Sequence, residues 1–313
     1  MGFLKKPFRW AAVYALILTL ATAYVMLDAF VIPRALSSNA ATPYQSVSAS
    51  AEADVIATEA VGLSQAATAS TPVVTATSYA DDHVQITLET TYVYDTQVYI
   101  ADIQVSDVSY LKTALANGVY GRNIKETTSA MAEENNAILA VNGDYYGFRN
   151  DGFVIRDGVL YRETSGDRQD LVIDAEGNFS IIEESDITAQ SLLNDGAWQV
   201  LSFGPALINN SQIAVTADSE VSQSKSSNPR TAIGQVSALH YLVIVSDGRT
   251  STSAGLSLAE LAQLFADRGC TVAYNLDGGG SSTMWFNGSV VNNPTDGRTS
   301  GERSVSDIVY FGL

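Results

Sequence analysis

Apolar and uncharged residues run without interruption from Trp10 to Leu27, pass Asp28 and resume at Val31 and Ile32. A run of that length spans a bilayer, which takes roughly 20 residues. It exceeds the apolar core of about 7–15 residues in a cleaved signal peptide, which favours an uncleaved anchor. Lys5, Lys6 and Arg9 on its N-terminal side keep that end in the cytoplasm and place everything after Pro33 outside the cell membrane, as a single-pass protein. From residue 34 to 80 the pattern dissolves into Ala, Ser and Thr with few aromatics and no apolar period, which is the composition of a flexible linker. The chain divides into a basic stub and transmembrane anchor (1–33), a linker (34–80) and one exported domain (81–313) large enough to bury its own core.

Within the domain, Val84–Leu88 and Gln97–Val105 alternate in the strand period and are enriched in Thr, Tyr, Val and Ile. Thr127–Asn136 reads as a helix, followed by the short apolar strand Ala137–Val141. Ile155–Leu160 reads as a hairpin and Ala238–Val245 as a strand. Ser257 and Glu260 have the spacing of a capping box. Leu258, Leu261, Ala262, Leu264 and Phe265 then recur at helical spacing, with Gly269 suited to close the helix. That helix feeds the strand Thr271–Leu276. The pattern predicts an α+β (mixed α/β) domain: a single domain with a mixed β-sheet and packed helices.

Several apolar strands end in polar turns. Ala137–Val141 delivers Asn142-Gly143-Asp144-Tyr145-Tyr146, the strand after Ala238 delivers Ser246-Asp247-Gly248-Arg249, and Thr271–Leu276 delivers Asp277-Gly278-Gly279-Gly280-Ser281-Ser282-Thr283. Three consecutive glycines let a backbone turn tightly and approach a ligand closely. Polar groups at successive strand ends converge on one crevice.

Composition narrows the chemistry available there. The formal charge is −17, with 17 basic and 34 acidic residues, and several basic residues belong to the anchor. Nucleic acid is therefore not an expected partner, since its binding relies on basic surface. A single cysteine, Cys270, excludes an intrachain disulfide and a cysteine metal cluster, and its position between a helix and an apolar run suits a buried thiol. The two histidines, His83 and His240, do not support a histidine triad or a histidine-rich zinc site. Carboxylates, arginines, hydroxyls and backbone amides remain.

Among the carboxylates Asp277 is the first choice for an acid, base or nucleophile, with Asp144, Glu302 and Asp247 as possible second members of a pair. Arg230, before a strand, offers a planar donor fork for phosphate or carboxylate oxygens, and Arg303 either pairs with Glu302 or faces an anionic substrate. Asp144, Asp247 and Asp277 are an alternative oxygen-ligand set for a hard cation, although no EF-hand-like pattern is present.

Six blocks occur in one order: Asn142-Gly143-Asp144-Tyr145-Tyr146, Ser202-Phe203-Gly204-Pro205, Asn228-Pro229-Arg230-Thr231-Ala232, Asp247-Gly248-Arg249, Asn275-Leu276-Asp277-Gly278-Gly279-Gly280-Ser281-Ser282 and Glu302-Arg303. In these blocks the chain resembles the phosphodiester glycosidase family over roughly residues 81–313. The resemblance implies hydrolysis of a sugar-1-phosphodiester on its glycosidic side, releasing free sugar and a phosphomonoester. It makes Asp277 and Asp144 candidates for acid/base or nucleophilic work, with Glu302 as a further catalytic candidate, and Arg230 and Arg303 candidates for gripping phosphate. Asn142, Asn275, Ser281 and Ser282 would orient the substrate, and Asp247, Arg249, Gly278 and Gly279 would line its site. No cofactor is implied. The chain lacks the cysteine-rich accessory region of the family's animal members, and its anchor is N-terminal. It looks more like a bacterial surface protein acting on envelope or exopolysaccharide glycans joined through sugar phosphates. Two other readings stand beside this one: a noncatalytic sugar-phosphate-binding protein in exopolysaccharide biosynthesis, and a metal-dependent phosphodiesterase that cuts the other side of the phosphate.

Overall fold

The computed structural model describes residues 7–37, 71–215, 227–297 and 299–313. Helix α1 (Pro7–Phe30) carries the apolar run, is long and apolar enough to cross a membrane, and buries none of its apolar window against the rest of the described protein. Lys5 and Lys6, and residues 38–70 of the expected linker, lie outside the described residues. The linker's two ends are strands: Arg34–Ala35 pairs with Gly121–Arg122, and Val73–Val74 and Ser78–Ala80 join the edge of the main sheet. The folded part thus begins ahead of Asp81, with Tyr79 in the central core. Strands of two or three residues are too short to show a period, which is why the composition reads as linker there.

Among the described residues, three large antiparallel sheets make the domain, beside two two-stranded pairs. The largest has nine strands, in spatial order Gln212–Ile213, Ala206–Asn209, Val272–Asn275, Arg230–Ser237, His240–Ser246, Thr96–Val105, Val84–Val93, Ser78–Ala80 and Val73–Val74. A second runs Ser289–Val290, Met284–Phe286, Ala137–Asn142, Asp307–Gly312 and Leu111–Leu115. The third runs Val159–Arg162, Val154–Arg156, Ala197–Leu201, Gln169–Asp174 and Phe179–Glu183. One core, with residues such as Ile103, Val141, Ile173, Val243, Tyr274 and Phe311, joins all three. A helix packs on each sheet: α2 (Thr128–Glu134) on the second, α3 (Ala189–Asn194) on the third and α4 (Leu258–Ala266) on the first. Strands covered on both faces, such as Ala137–Asn142 and His240–Ser246, are accordingly apolar runs rather than alternations.

The α+β class expected from the sequence is the class observed. The sheets differ in one respect: every described pairing is antiparallel, where a mixed sheet was expected from the helix-then-strand unit at α4. That helix does connect two strands of the same direction, His240–Ser246 and Val272–Asn275, but Arg230–Ser237 lies between them and pairs antiparallel with both. The capping box of α4 is present as read. Cys270 is buried, its thiol pushed up to about 12 by burial. His240 sits at the start of its strand with Nε2 2.9 Å from Asp102 Oδ1.

Candidate active site

Two strand ends from different sheets meet at the seam between the first and second sheets. Ala137–Asn142 ends at Asn142, whose side-chain amide donates to the Asp277 carbonyl at 2.6 Å, and the Asp277 amide donates to the Gly143 carbonyl at 3.2 Å. The Asn142 side-chain oxygen in turn accepts from Thr231 Oγ1 (2.8 Å) and the Thr283 amide (3.2 Å). Asn142 is fully buried and ties the Asp277 carbonyl to Thr231 and Thr283.

Two clefts open on this seam. The larger, about 530 Å³, is lined by the five arginines 149, 168, 230, 249 and 303, with Asp277 as the one carboxylate among its lining residues. The smaller, about 250 Å³, is lined by Tyr145, Phe148, Ser281, Ser306, Asp144 and Asp296 among others. Asp277 and Arg303 belong to both. In a chain of net charge −17, this is a local concentration of guanidinium groups, of which Arg303 and Arg168 are paired with Asp296 and Asp151.

The glycine turn after Asp277 admits the arginines. A Cβ on Gly279, whose φ is +63°, would stand 2.9 Å from Arg249 Nη2, and one on Gly280 would stand 2.6 Å from Arg303 Nη2. Side chains there would displace both guanidinium groups. Arg303 is held by Asp296, whose Oδ1 accepts from its Nε at 3.0 Å. Arg249 donates from Nε (3.2 Å) and Nη2 (3.1 Å) to Asn228 Oδ1. Arg230 donates from Nε to the Leu256 carbonyl at 2.9 Å. Arg149 lies over the Phe203 ring at 4.9 Å and the Tyr145 ring at 5.6 Å, and Arg168 pairs with Asp151 at 2.8 Å.

Asp277 keeps some surface toward the clefts while protein packs around it. Burial raises its pKa from the ordinary aspartate value, and bonds from Ser281 and the Gly278 amide, with Arg303 and Arg149 nearby, offset part of that rise. The Gly278 amide donates to its Oδ1 at 2.9 Å.

Of the residues expected from the sequence, Asp277, Arg230, Arg249, Asn275, Gly278, Gly279 and Arg303 line the larger cleft, and Asp144 and Ser281 the smaller. Four stand elsewhere. Glu302 points away from its neighbour Arg303, and its carboxylate accepts from the Ser129 amide (3.0 Å) and Ser129 Oγ (2.5 Å) in the first turn of α2. Asp247 is spent on the Asn293 amide (2.8 Å), Asn293 Nδ2 (2.9 Å) and Tyr99 OH (3.2 Å). Asn142 and Ser282 are buried behind the turn. Asp144, although it borders the smaller cleft, accepts from the Tyr146 amide (2.8 Å), the Ser202 amide (3.0 Å) and Arg156 Nη2 (2.9 Å), so its oxygens are occupied. The cation set Asp144, Asp247 and Asp277 is thus not assembled, and no cluster of three His, Cys, Asp or Glu suited to a metal occurs among the described residues.

Sequence reasoning missed Arg149 and Arg168, and also the ion cluster beneath the site. Arg156, fully buried, bridges Asp144 (2.9 Å) and Asp307 (2.8 Å). Burial, then the charge of Asp144, raises the pKa of Asp307. Nearby Asp170 is completely buried, neither oxygen has a hydrogen-bond partner of good geometry, and burial followed by the Glu184 charge pushes it up to about 9. A carboxyl whose pKa is raised on folding takes up a proton when the chain folds, so its contribution to stability falls as pH rises between about 4 and about 9. Each shifted group contributes at most about 1.4 kcal/mol per pH unit. Thermal denaturation at pH 6 and pH 9 is expected to show a lower Tm at pH 9, and Asp170→Asn is expected to flatten that decline. An unchanged slope in the variant would assign the decline to other groups.

Comparison with known proteins places these features in context. A family model described as phosphodiester glycosidase matches residues 135–312. An uncharacterized prophage-derived protein of Bacillus subtilis is 32% identical over 201 residues, covering 60% of this chain and 30% of that protein. Human N-acetylglucosamine-1-phosphodiester alpha-N-acetylglucosaminidase is 30% identical over 156 residues, covering 48% of this chain and 26% of the human protein. The chain thus spans less than a third of the length of either relative. Among solved structures, the catalytic domain of the zebrafish enzyme of that name, auto-inhibited by its pro-peptide, superposes with a TM-score of 0.59 at 21% identity, covering 74% of this chain and 83% of that one.

Proposed function

The chain belongs to the phosphodiester glycosidase family, and from that premise we propose that it is a membrane-anchored, extracytoplasmic hydrolase of sugar-1-phosphodiesters in envelope or exopolysaccharide glycans. The observation that carries the reading is the position of Asp277 and Arg303 on both clefts, in a wall of arginines. The sugar sits in the smaller compartment against the stacked rings of Tyr145 and Phe148, 4.7 Å apart. The phosphate and the rest of the substrate occupy the larger compartment, where the guanidinium groups bind the phosphate oxygens through paired donors.

In this reading the bond between the anomeric carbon and the phosphate oxygen breaks, its electron pair stays on the phosphate, and water supplies the new bond to carbon. Charge grows on the departing phosphomonoester, and preformed donors aimed at such charge typically contribute several kcal/mol. Asp277, the one carboxylate lining the larger cleft, acts at the anomeric centre and takes the proton or the glycosyl group. A phosphate needs less protonation to depart than an alcohol does, which suits a site where Asp144 and Glu302 are occupied by other bonds.

The α1 helix and the direction of the basic residues before it support the anchored topology. The test is the product pair from a methyl phosphodiester of N-acetylglucosamine: free sugar plus methyl phosphate is expected. Sugar-1-phosphate plus methanol would mean cleavage on the other side of the phosphate and would overturn the reading.

A further inference from the structure

The chain leaving α1 is clamped onto the domain beside the site. After the helix, the amides of Val31 and Ile32 both donate to the Leu27 carbonyl at 2.8 Å, and Arg34 pairs with Asp28. Arg34–Ala35 then forms a strand pair with Gly121–Arg122, and the Leu36 amide donates to the Tyr120 carbonyl at 3.0 Å. Asn123, only 4% exposed and held at a φ of +56°, directs its side-chain amide at the carbonyls of Asp28 (3.4 Å), Ala29 (3.2 Å) and Ile32 (3.2 Å). These are carbonyls at the helix end that have no partner within the helix, so the domain caps the anchor. Gly121 lies so close that a Cβ there would collide with the Arg34 carbonyl. A left-handed asparagine and a glycine with no room for a side chain mark a built junction rather than a passing contact.

The same short stretch leads to the site, although residues 120–123 themselves line neither cleft. The Asn123 amide donates to the Gly147 carbonyl at 3.2 Å, and Tyr120 stacks on Tyr146 at 5.3 Å. Two residues beyond Asn123, Lys125 lines the smaller cleft. A small cavity of about 110 Å³ lined by Leu36, Tyr120, Gly121 and Arg149 lies against the clamp, and Arg149 also lines the larger cleft. Arg149 is thus shared between the cavity that touches the clamped segment at Leu36 and the arginine cleft, and the apolar window of the helix itself is unburied by protein.

We infer that the enzyme works on membrane-borne substrate: a sugar joined through phosphate to the headgroup side of a lipid, presented to a cleft that the clamp holds at the bilayer surface. The inference rests on the proposed hydrolysis for its chemistry and adds the substrate class. Fixing a site in the plane where its substrate is confined raises the local concentration of that substrate by orders of magnitude without any new contact. A loosely tethered domain loses much of that gain.

The test uses the full chain in phosphatidylcholine vesicles, with two substrates sharing one sugar phosphate: a long-chain alkyl diester embedded in the vesicle and the soluble methyl diester. Asn123→Ala and Gly121→Val loosen the clamp without touching a cleft residue. Both are expected to lower turnover of the embedded substrate about tenfold or more while changing the methyl diester less than about twofold. Asn123→Ala serves where the bulkier change impairs folding. Equal effects on both substrates, or none on either, overturn the membrane inference and leave the hydrolase reading standing. Wild-type turnover of the methyl diester but not of the embedded one does the same. Failure of the wild type on both, with product from neither, overturns the two together.

Discussion

Asp277→Asn is expected to lower kcat on a sugar-1-phosphodiester by about a thousandfold, the range typical of removing a positioned acid, base or nucleophile, while Tm stays close to that of the parent. The two halves of this expectation come from different features. Asn keeps the shape of Asp and can still accept from the Gly278 amide, which bonds Oδ1 at 2.9 Å. It also relieves the burial penalty that raises the pKa of Asp277, so the fold loses nothing by the change. The proposed reaction loses the group assigned to the anomeric carbon. The raised pKa has a further consequence: if the ionised form is the active one, kcat/KM falls off in acid at a pH above the ordinary aspartate value of 3.8. Steady-state kinetics across pH, with circular dichroism of the variant, decide the matter. A folded Asp277→Asn enzyme with near-normal kcat would remove Asp277 from the mechanism. Glu302→Gln is the matched control, because that carboxylate sits on Ser129 at the start of α2 and lines neither cleft.

The strand-end turns were legible because each packs its chemistry into a contiguous stretch: Asn142 to Tyr146, and Asn275 to Ser282. An apolar strand followed by glycines and acids says where a chain stops serving the core. Glu302 was read as a possible second carboxylate of the pair, in one block with Arg303. Adjacent residues in an extended segment point to different sides, and here one serves α2 while the other serves the cleft. Arg149 and Arg168 carried no such local mark. The only sequence signal for them is scarcity, since an acidic domain with few arginines has little reason to keep them except for ion pairs or an anion. The cluster of Arg156 with Asp144 and Asp307 was invisible for a different reason: the Arg156 and Asp307 positions are 151 residues apart, and only the closure of the second sheet against the third brings them together. Likewise Asn123 reads as an ordinary loop residue until the helix end lies beside it.

Breaking that buried cluster from one side should cost the domain a large share of its stability. Arg156→Met is expected to destabilise it by about 3–5 kcal/mol, the range for breaking a buried ion pair from one side. Desolvation opposes the arginine's charge, but the charges of Asp144 and Asp307 outweigh it and raise its pKa, so the guanidinium stays ionised. Removing it leaves two carboxylates with no cation between them, and it also strips hydrogen-bond donors from the Ile155 and Val200 carbonyls. For a domain of this size each kcal/mol shifts Tm by about 2–4 °C, so a fall of roughly 6–20 °C is expected by thermal denaturation. Asp307→Asn added to Arg156→Met should recover part of that loss, because the amide is neutral without the proton that the Asp307 carboxyl, its pKa raised by burial and by Asp144, would have to take up; a double variant no more stable than the single one would show that packing, not charge, is at stake. The effect should also reach turnover. A Cβ on Gly143 would lie 2.5 Å from Asp307 Oδ1, and the Gly143 carbonyl accepts from the Asp277 amide at 3.2 Å. The Asp307 side chain thus packs against the backbone that bonds Asp277, so a shift of the one is expected to reach the other. A variant that is less stable yet has unchanged kcat below its melting range would confine the cluster to a structural role, whereas a kcat deficit that Asp307→Asn partly repairs would tie the buried ions to the placement of Asp277.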